Sequence, residues 1–599
     1  MNTRTIMIAK SMLLAVLFGL ANLAEGQLDT LKCRKEVFSL NSGIHEGRKS
    51  FLNPPTPAFR GTVQIANAPW IKIYFGDCEL GQNSIIKMTS LEDDGYQNLN
   101  TVSLKQWQNT SAYFNGDAVE VELYIDSEDK GIFFEVVEVV VGERFGSLSK
   151  SGESAQVASD PCTGAWLGMC GGVDDRVPSN DLAVGRISGI ETGTGNSATV
   201  GTGWIASNGT YLTAGHVISS TFTHSKWLEF NVPTSDSDGT PNFSHPNDQY
   251  AIDMATAVWE YYYDQYCGRD WGVFACFPNP NTGLLPVQVQ NAFYRLSLDS
   301  NPTTFRVTGF GLDECPPGTG TTTQRNSSSN TLQTSTGPSY GEVGSGNYVH
   351  WNYAVDIRNG NSGSPMIPEG TSLSVGIQTC GSYACPDLSN PDNNNLATSL
   401  DCNTLENAVN AFPGANIIYA DNGHPFATGG GTVFRPYNTI SGAVAAVPAS
   451  GIVSIVSGSY NESMTINTAM TFVAPVGNVT IGPTPPPKIT EGGSGADERD
   501  SHEKSTPKEY GLSQNYPNPF NPETTIEYIL PQPSFVNLKI FDMLGQEVRT
   551  LINEFQQSGS KAVIWDGRND HGQLAPSGQY FYRLTTDGFT KSYKSLLLR

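Results

Sequence analysis

A chain of 599 residues is too long for one hydrophobic core, so several domains are expected. Its formal net charge of −23, with only 16% charged side chains, argues against a basic surface for nucleic acid or anionic membrane. The 62 glycines, set among short apolar runs and polar turns, point to a β-rich chain.

Residues 1–26 carry Arg4 and Lys10, an apolar run over 12–20 and the small-residue end Ala24-Glu25-Gly26. This pattern is that of a secretory signal peptide and not of a membrane anchor. No later stretch is long and apolar enough to be a transmembrane segment. Ten cysteines suit an oxidising compartment; sequence neighbours suggest pairing Cys162 with Cys170, Cys267 with Cys276 and Cys380 with Cys385. Cys33, Cys78, Cys315 and Cys402 are left for longer-range pairing, and no two close Cys/His pairs have the spacing of a structural zinc site.

From 27 to 150, apolar and polar side chains alternate over 70–75, 85–90 and 119–125, with turns such as Asn115-Gly116 between them. Period two with turn punctuation predicts an antiparallel β-sandwich, loosely similar to a CUB-like module. Substrate binding, a prodomain role and a purely stabilising role are all open for it. Residues 151–180 are irregular and read as a linker or propeptide junction, with Arg176 and Arg186 as processing points.

Within 181–415 three short stretches carry chemistry. In the first, a strand, a turn at Asn208-Gly209 and a second strand lead to Thr213-Ala214-Gly215-His216. In the second, Asp270-Trp271-Gly272 places a carboxylate just ahead of an apolar strand. In the third, Gly360-Asn361-Ser362-Gly363-Ser364-Pro365 sets a serine between glycines. A serine hydroxyl is a poor nucleophile at neutral pH and needs a base for its proton and donors for the oxyanion. Gly360 allows a turn tight enough for its own N–H and that of Ser362 to converge on one oxygen, and Gly363 keeps the space beside the hydroxyl clear. The order is His, Asp, Ser, with 54 residues from His216 to Asp270 and 92 from Asp270 to Ser362, the order of the chymotrypsin-like double barrel.

These motifs resemble the bacterial secreted trypsin-like serine peptidases, on the glutamyl-endopeptidase side of that superfamily. The resemblance implies Ser362 as nucleophile, His216 as general base and acid, Asp270 as the group that orients the imidazole, and the Gly360 and Ser362 N–H groups as the oxyanion hole. Asp253 is the rival carboxylate, but it lacks the tryptophan that follows Asp270. His224, His245 and His350 lack the strand-and-small-residue context and read as structural. Asp356, six positions before Ser362, stands where trypsin-like enzymes have the aspartate that selects Lys or Arg, which suggests a weak basic preference; the alternative, implied by bacterial relatives that carry an aspartate there without such a preference, is that it only hydrogen-bonds to its loop. Gln378 stands where glutamyl endopeptidases have a histidine, and losing that cation argues against Glu specificity. The trypsin activation switch needs an aspartate just before the nucleophile to pair with a new amino terminus; here that residue is Asn361. Residues 315–346 read as a long loop near the substrate cleft, broken by a strand over 331–336.

Residues 416–484 resemble the opening coils of a parallel β-helix, too short to stand alone, and are expected to lean on a neighbour as a spacer or packing element. Residues 485–510, Pro/Gly-rich and then charged, read as a disordered linker. Over 511–599, alternating strands closed by Pro, Gly or Asp predict a small immunoglobulin-like sandwich. This stretch resembles the type A C-terminal sorting domain of the bacterial type IX secretion system.

The expected fold is therefore mainly β and multidomain: a chymotrypsin-like double β-barrel flanked by an N-terminal β-sandwich, a short β-helix-like segment and a C-terminal immunoglobulin-like sandwich. The expected function is a secreted serine endopeptidase acting on extracellular proteins or peptides without metal or organic cofactor. Its partners would be those substrates and the type IX machinery, at or beyond the outer surface of a Gram-negative cell. The alternative is a surface adhesin or polysaccharide-binding protein that uses the protease fold as a scaffold.

Overall fold

The computed structural model describes residues 29–482 apart from 48–55, 145–169, 171–173, 192–196, 220–222, 262–266, 299–300, 316–323, 383–393, 413–415 and 467, and most of 510–597. The expected signal peptide and residues 485–509 of the expected linker lie outside the described residues. The chain is mainly β and divides into two compact units, Met1–Pro485 and Pro486–Arg599. Among the described residues no helix is long and apolar enough to cross a membrane.

Two closed six-stranded barrels organise the first unit. In the first barrel, Val184–Glu191, Thr223–Glu229, Gln249–Tyr261, Asp270–Cys276, Tyr211–Thr213 and Ser197–Ile205 pair antiparallel in that order, and the last returns to the first. In the second, the ring runs Gln333–Ser345, Thr304–Gly309, Pro365–Pro368, Gly376–Cys380, Asn395–Ser399 and Tyr348–Tyr353, closed by the hairpin between its last and first members. The expected long loop over 315–346 is thus largely strand: Gln333–Ser345 extends well past the short strand that the sequence suggested. Its residues alternate up to Gly341, buried with part-exposed over 333–335 and part-exposed with exposed over 336–341, so only its start faces a core.

The N-terminal module is the expected antiparallel sandwich. Phe59–Gln64, Ala118–Tyr124, Ile85–Ser90 and Tyr96–Leu99 form one sheet, and Asp29–Asn41, Lys130–Gly142, Trp70–Glu79 and Phe114–Asn115 lie in the other. That second sheet does not end at the module boundary. Asp29–Lys32 pair with Ser197–Val200 of the first barrel, and from Cys33 onward the same strand pairs with Lys130–Gly142. The apolar core is shared as well, since Ile190, Val200, Trp227, Phe243 and Ala251 of the barrel pack among the sandwich's own buried side chains. Tyr113 stacks on Phe243 with centroids 4.1 Å apart, and Gln249 exchanges hydrogen bonds of 2.8 and 2.9 Å with the Tyr113 backbone.

Residues 416–482 form parallel pairs, Ile417–Ala420 with Ile452–Ile455 and then Thr471–Val473, and Gly458–Tyr460 with Val479–Ile481. As expected, they lean on a neighbour. Tyr419, Val433, Phe434, Val456 and Val476 belong to the same buried cluster as the first barrel's Trp204, Leu212 and Val273. Arg295 forks onto Asp421 at 2.7 and 3.1 Å, and His424 Nε2 lies 2.8 Å from Leu296 O.

The second unit has its own core around Trp565, Tyr582, Leu538 and Ile526. One sheet holds Gly511–Leu512, Thr524–Leu530 and Gly559–Trp565, and the other holds Glu547–Gln556, Ser534–Phe541, Gly578–Thr586 and Phe589–Leu597. The cysteine pairings need correction: Cys276 is a buried thiol, not the partner of Cys267, and burial pushes it well above its usual range, while Cys33, Cys78 and Cys402, expected to pair over longer range, are thiols too. Cys170 and Cys380 are both disulfide-bonded, whereas Cys162 and Cys385 lie outside the described residues.

Candidate active site

His216 is delivered by a hairpin. Ser197–Ile205 turns at Gly209, where φ is +80°, and returns as Tyr211–Thr213 before a single helical turn, Gly215–Ile218, that carries the histidine. A Cβ on Gly215 would collide with Glu260 O, so only glycine lets this turn sit so close to the neighbouring strand. Asp270 opens Asp270–Cys276, the strand antiparallel to Tyr211–Thr213, so both residues leave adjacent strands at one end of the barrel.

Asp270 grips His216 twice. Its Oδ1 accepts the His216 backbone N–H at 2.9 Å, and its Oδ2 lies 2.6 Å from Nδ1. An ionised carboxylate only accepts, so a neutral imidazole here carries its proton on Nδ1 and offers the Nε2 lone pair as a base. That Nε2 is buried and has no hydrogen-bond partner among the described residues. Asp270 is itself fixed from the second barrel, because Thr398 Oγ1 accepts its N–H at 3.2 Å and donates to its carbonyl at 3.0 Å. Its rival Asp253 is spent on a local turn, accepting Ala255 N–H at 3.1 Å.

Ser362 comes from the second barrel, on the connection between Tyr348–Tyr353 and Pro365–Pro368. Gly360 and Gly363 take φ of +97° and +96°, a region L side chains avoid. A Cβ on Gly363 would collide with Thr202 O and Thr213 Oγ1, which places the serine turn against the strand pair that leads to His216. Thr202 closes the contact: its N–H donates to Ser362 O at 2.8 Å, and its hydroxyl donates to Gly360 O at 2.9 Å. His216, Asp270 and Ser362 are all buried, and in a water-poor site charge–dipole interactions gain strength. A base with a fixed tautomer, a hydroxyl on a docked loop and two glycine-permitted backbone turns make up the parts of a nucleophilic acyl-transfer site.

The two expected specificity residues are placed differently. Asp356 is buried and its carboxylate is already engaged: Oδ1 accepts Cys170 N–H at 2.6 Å and Oδ2 accepts Asp175 N–H at 3.0 Å. Burial raises it to about 6, against the pull of the two amides and with Asp175 and Asp174 adding to the rise. Gln378 is fully buried, and its carboxamide has no hydrogen-bond partner among the described residues. The proposed processing points are likewise inside. Arg186 is enclosed by Glu229 at 2.8 Å and by the carbonyls of Asn330 and Asn242, and the Arg176 side chain is 1% exposed. An enzyme that reads the arginine side chain cannot cut at either without local unfolding. Sequence reasoning missed Thr202 and Thr398, whose partners lie on other strands and which belong to no motif, and it read Arg176 only as a processing point.

The family model for trypsin matches residues 187–398, and that for the FlgD Ig-like domain matches residues 521–588. The chain therefore carries a trypsin-like protease domain and an FlgD-type immunoglobulin-like domain. No curated protein matches the chain. Among solved structures, protease Anisep from Arthrobacter nicotinovorans is similar at 11% identity and TM-score 0.26, covering 37% of this chain and 93% of its own. The VesB protease of Vibrio cholerae is similar at 10% identity and TM-score 0.25, covering 70% and 98%. FlgD from P. aeruginosa is similar at 28% identity and TM-score 0.11, covering 12% and 59%.

Proposed function

We propose that this protein, built around a trypsin-like domain, is a serine endopeptidase that cleaves extracellular proteins through an acyl-enzyme. The reading is carried by His216, held at two points by Asp270 with Nε2 unoccupied, beside the docked Ser362 turn. In the forward step Ser362 Oγ bonds to the scissile carbonyl carbon as its proton passes to His216 Nε2. The carbonyl π pair moves onto oxygen, where the Gly360 and Ser362 N–H groups stabilise it. When the tetrahedral adduct collapses, the C–N bond breaks and His216 returns the proton to the leaving amine. A water then repeats the sequence against the ester and regenerates Ser362. Asp270 keeps the imidazole in the productive tautomer and stabilises its cation without itself taking the proton.

The resemblance of residues 511–599 to type A sorting domains, with the signal-peptide pattern of 1–26, supports export through the periplasm by the type IX route. The C-terminal unit would be the part the machinery recognises. Its compact, separately packed core supports a role as a discrete address.

A fluorophosphonate probe tests the chemistry. The full chain should be labelled on the peptide containing Ser362, and Ser362→Ala should abolish labelling while leaving the thermal transition in place. A folded parent that takes no label would sink the peptidase reading.

A further inference from the structure

The short stretch before the first barrel is stitched into the second one. Val177–Pro178 pair with Gln333–Thr334 as a short added strand, beside the stretch that the closing hairpin over 339–345 leaves open. Immediately upstream, the chain meets the loop that carries the serine. Asp356 Oδ1 and Oδ2 accept the amides of Cys170 and Asp175 at 2.6 and 3.0 Å, and Asp175 Oδ1 accepts Ser335 Oγ at 2.5 Å. Arg176 then turns inward. Its Nε and Nη2 bond Asp174, and Nη2 also donates to Leu312 O at 2.7 Å, while the Leu312 N–H donates to Asn359 O at 2.8 Å. Burial alone would raise Asp174, but the guanidinium beside it brings it below its usual range.

The remaining guanidinium nitrogen, Nη1, is buried and has no hydrogen-bond partner among the described residues. A Cβ on Gly311 would collide with both this Nη1 and Asn361 Oδ1, so the cation and the residue directly before Ser362 close on the same Cα. Asn361 is also the hub of its own turn, with its N–H donating to Arg358 O at 2.9 Å and its Oδ1 accepting Arg358 N–H at 3.3 Å. A fixed internal cation therefore sits beside a neutral carboxamide, at the place where an amino terminus would otherwise be needed to meet a carboxylate.

We propose that Arg176 is a positioning residue that, with Asp174 and Asp175, orders the 356–361 loop in the uncleaved chain, so that the oxyanion-binding backbone is in place without a cut at the 176–177 bond. The proposal rests on the peptidase reading and deepens it. Cleavage there would free the 177 end from Arg176, which bonds Leu312 O and closes with Asn361 on Gly311, and would loosen the site instead of completing it. Arg176 touches no reacting atom; it acts through the Gly360 and Ser362 amides, so its loss should lower kcat more than it raises KM.

The test uses the full chain. After reaction with a fluorophosphonate probe, labelled protein is digested with an enzyme that spares arginine, and the peptide spanning residues 176 and 177 is sought by mass. An intact spanning peptide in labelled molecules is the expected result; label confined to molecules beginning at Val177 would overturn the proposal. In parallel, Arg176→Met should lower kcat on a peptide amide by about 10–100-fold with KM within about threefold, and Arg176→Lys should recover about tenfold. Loss that follows the folded fraction measured by thermal melting, or a kcat within twofold of the parent, would overturn it too. A parent that takes no label at Ser362 overturns the peptidase reading and this one with it, whereas a labelled parent isolates the question to Arg176.

Discussion

Lys226 closes the far end of the helical turn that carries His216. Its Nζ donates to Ser219 O at 3.1 Å from a site with 3% exposure, and burial pushes it down from 10.5 to about 7. The unfolded chain thus binds a proton near pH 10.5 that the folded chain refuses until about 7, so across this window the unfolded state holds more protons. Stability from this residue is full above that window and is lost as the pH falls through it. Lys226→Met removes the titration. Urea midpoints of parent and variant should diverge in the parent's favour as pH rises from 7 to 10, by at most ~1.4 kcal/mol per unit. Parallel curves would show that the lysine is not buried neutral. Nothing in the sequence marks Lys226, because its environment is made by strands that are distant in the chain. Residues 213–216, 270–272 and 360–365, in contrast, were legible, since steric demands on glycines and a fixed tautomer require particular neighbours in sequence. Asp356 fell between the two cases. The sequence offered it by its distance from Ser362, but the amides of Cys170 and Asp175 that occupy it come from a segment with no recognisable pattern.

At the scale of elements, the parallel segment 416–482 is pinned by a buried anion to Arg295, on the connection between the two barrels. Asp421 is 1% exposed and accepts both Arg295 nitrogens and the Gly423 N–H at 2.9 Å. The Arg295 side chain is 20% exposed and can reach water if its partner is removed. The two halves of the pair should therefore be unequal. Arg295→Met strands a charge and should cost about 2–4 kcal/mol by denaturant melting, more than Asp421→Asn, which keeps the Gly423 acceptor. Equal costs would mean that the contact is a surface pair. The coil-like repeats of this segment could be read in advance because parallel β-helices repeat small and β-branched residues. Its seat on the barrel could not, because Tyr419, Phe434 and Val476 are only apolar residues until Trp204 and Val273 are placed beside them.

For the molecule as a whole, the division at residues 485 and 486 separates two cores of very different character. The first unit holds several apolar clusters, but the strand Asp29–Asn41 and two clusters that each draw on neighbouring modules tie sandwich, barrels and parallel segment together. It should unfold in a single cooperative transition in calorimetry, and the C-terminal unit in another. Ending the chain at residue 485 should leave the first transition and Ser362 labelling unchanged. An early, separate melting of residues 29–144 would contradict this and restore a detachable N-terminal module. The alternation over 70–75 and 119–125 was enough to announce a sandwich, but period two names a strand's faces and not its partner, so the join to Ser197–Val200 was invisible.

That join has a cost in time. Asp29 lies opposite Val200, so the sandwich sheet, first out of the ribosome, keeps an unpaired edge until the barrel strand has been made. At about 5–20 residues per second the wait is on the order of ten to thirty seconds. During that interval the leading strand offers open N–H and C=O groups to any neighbouring chain.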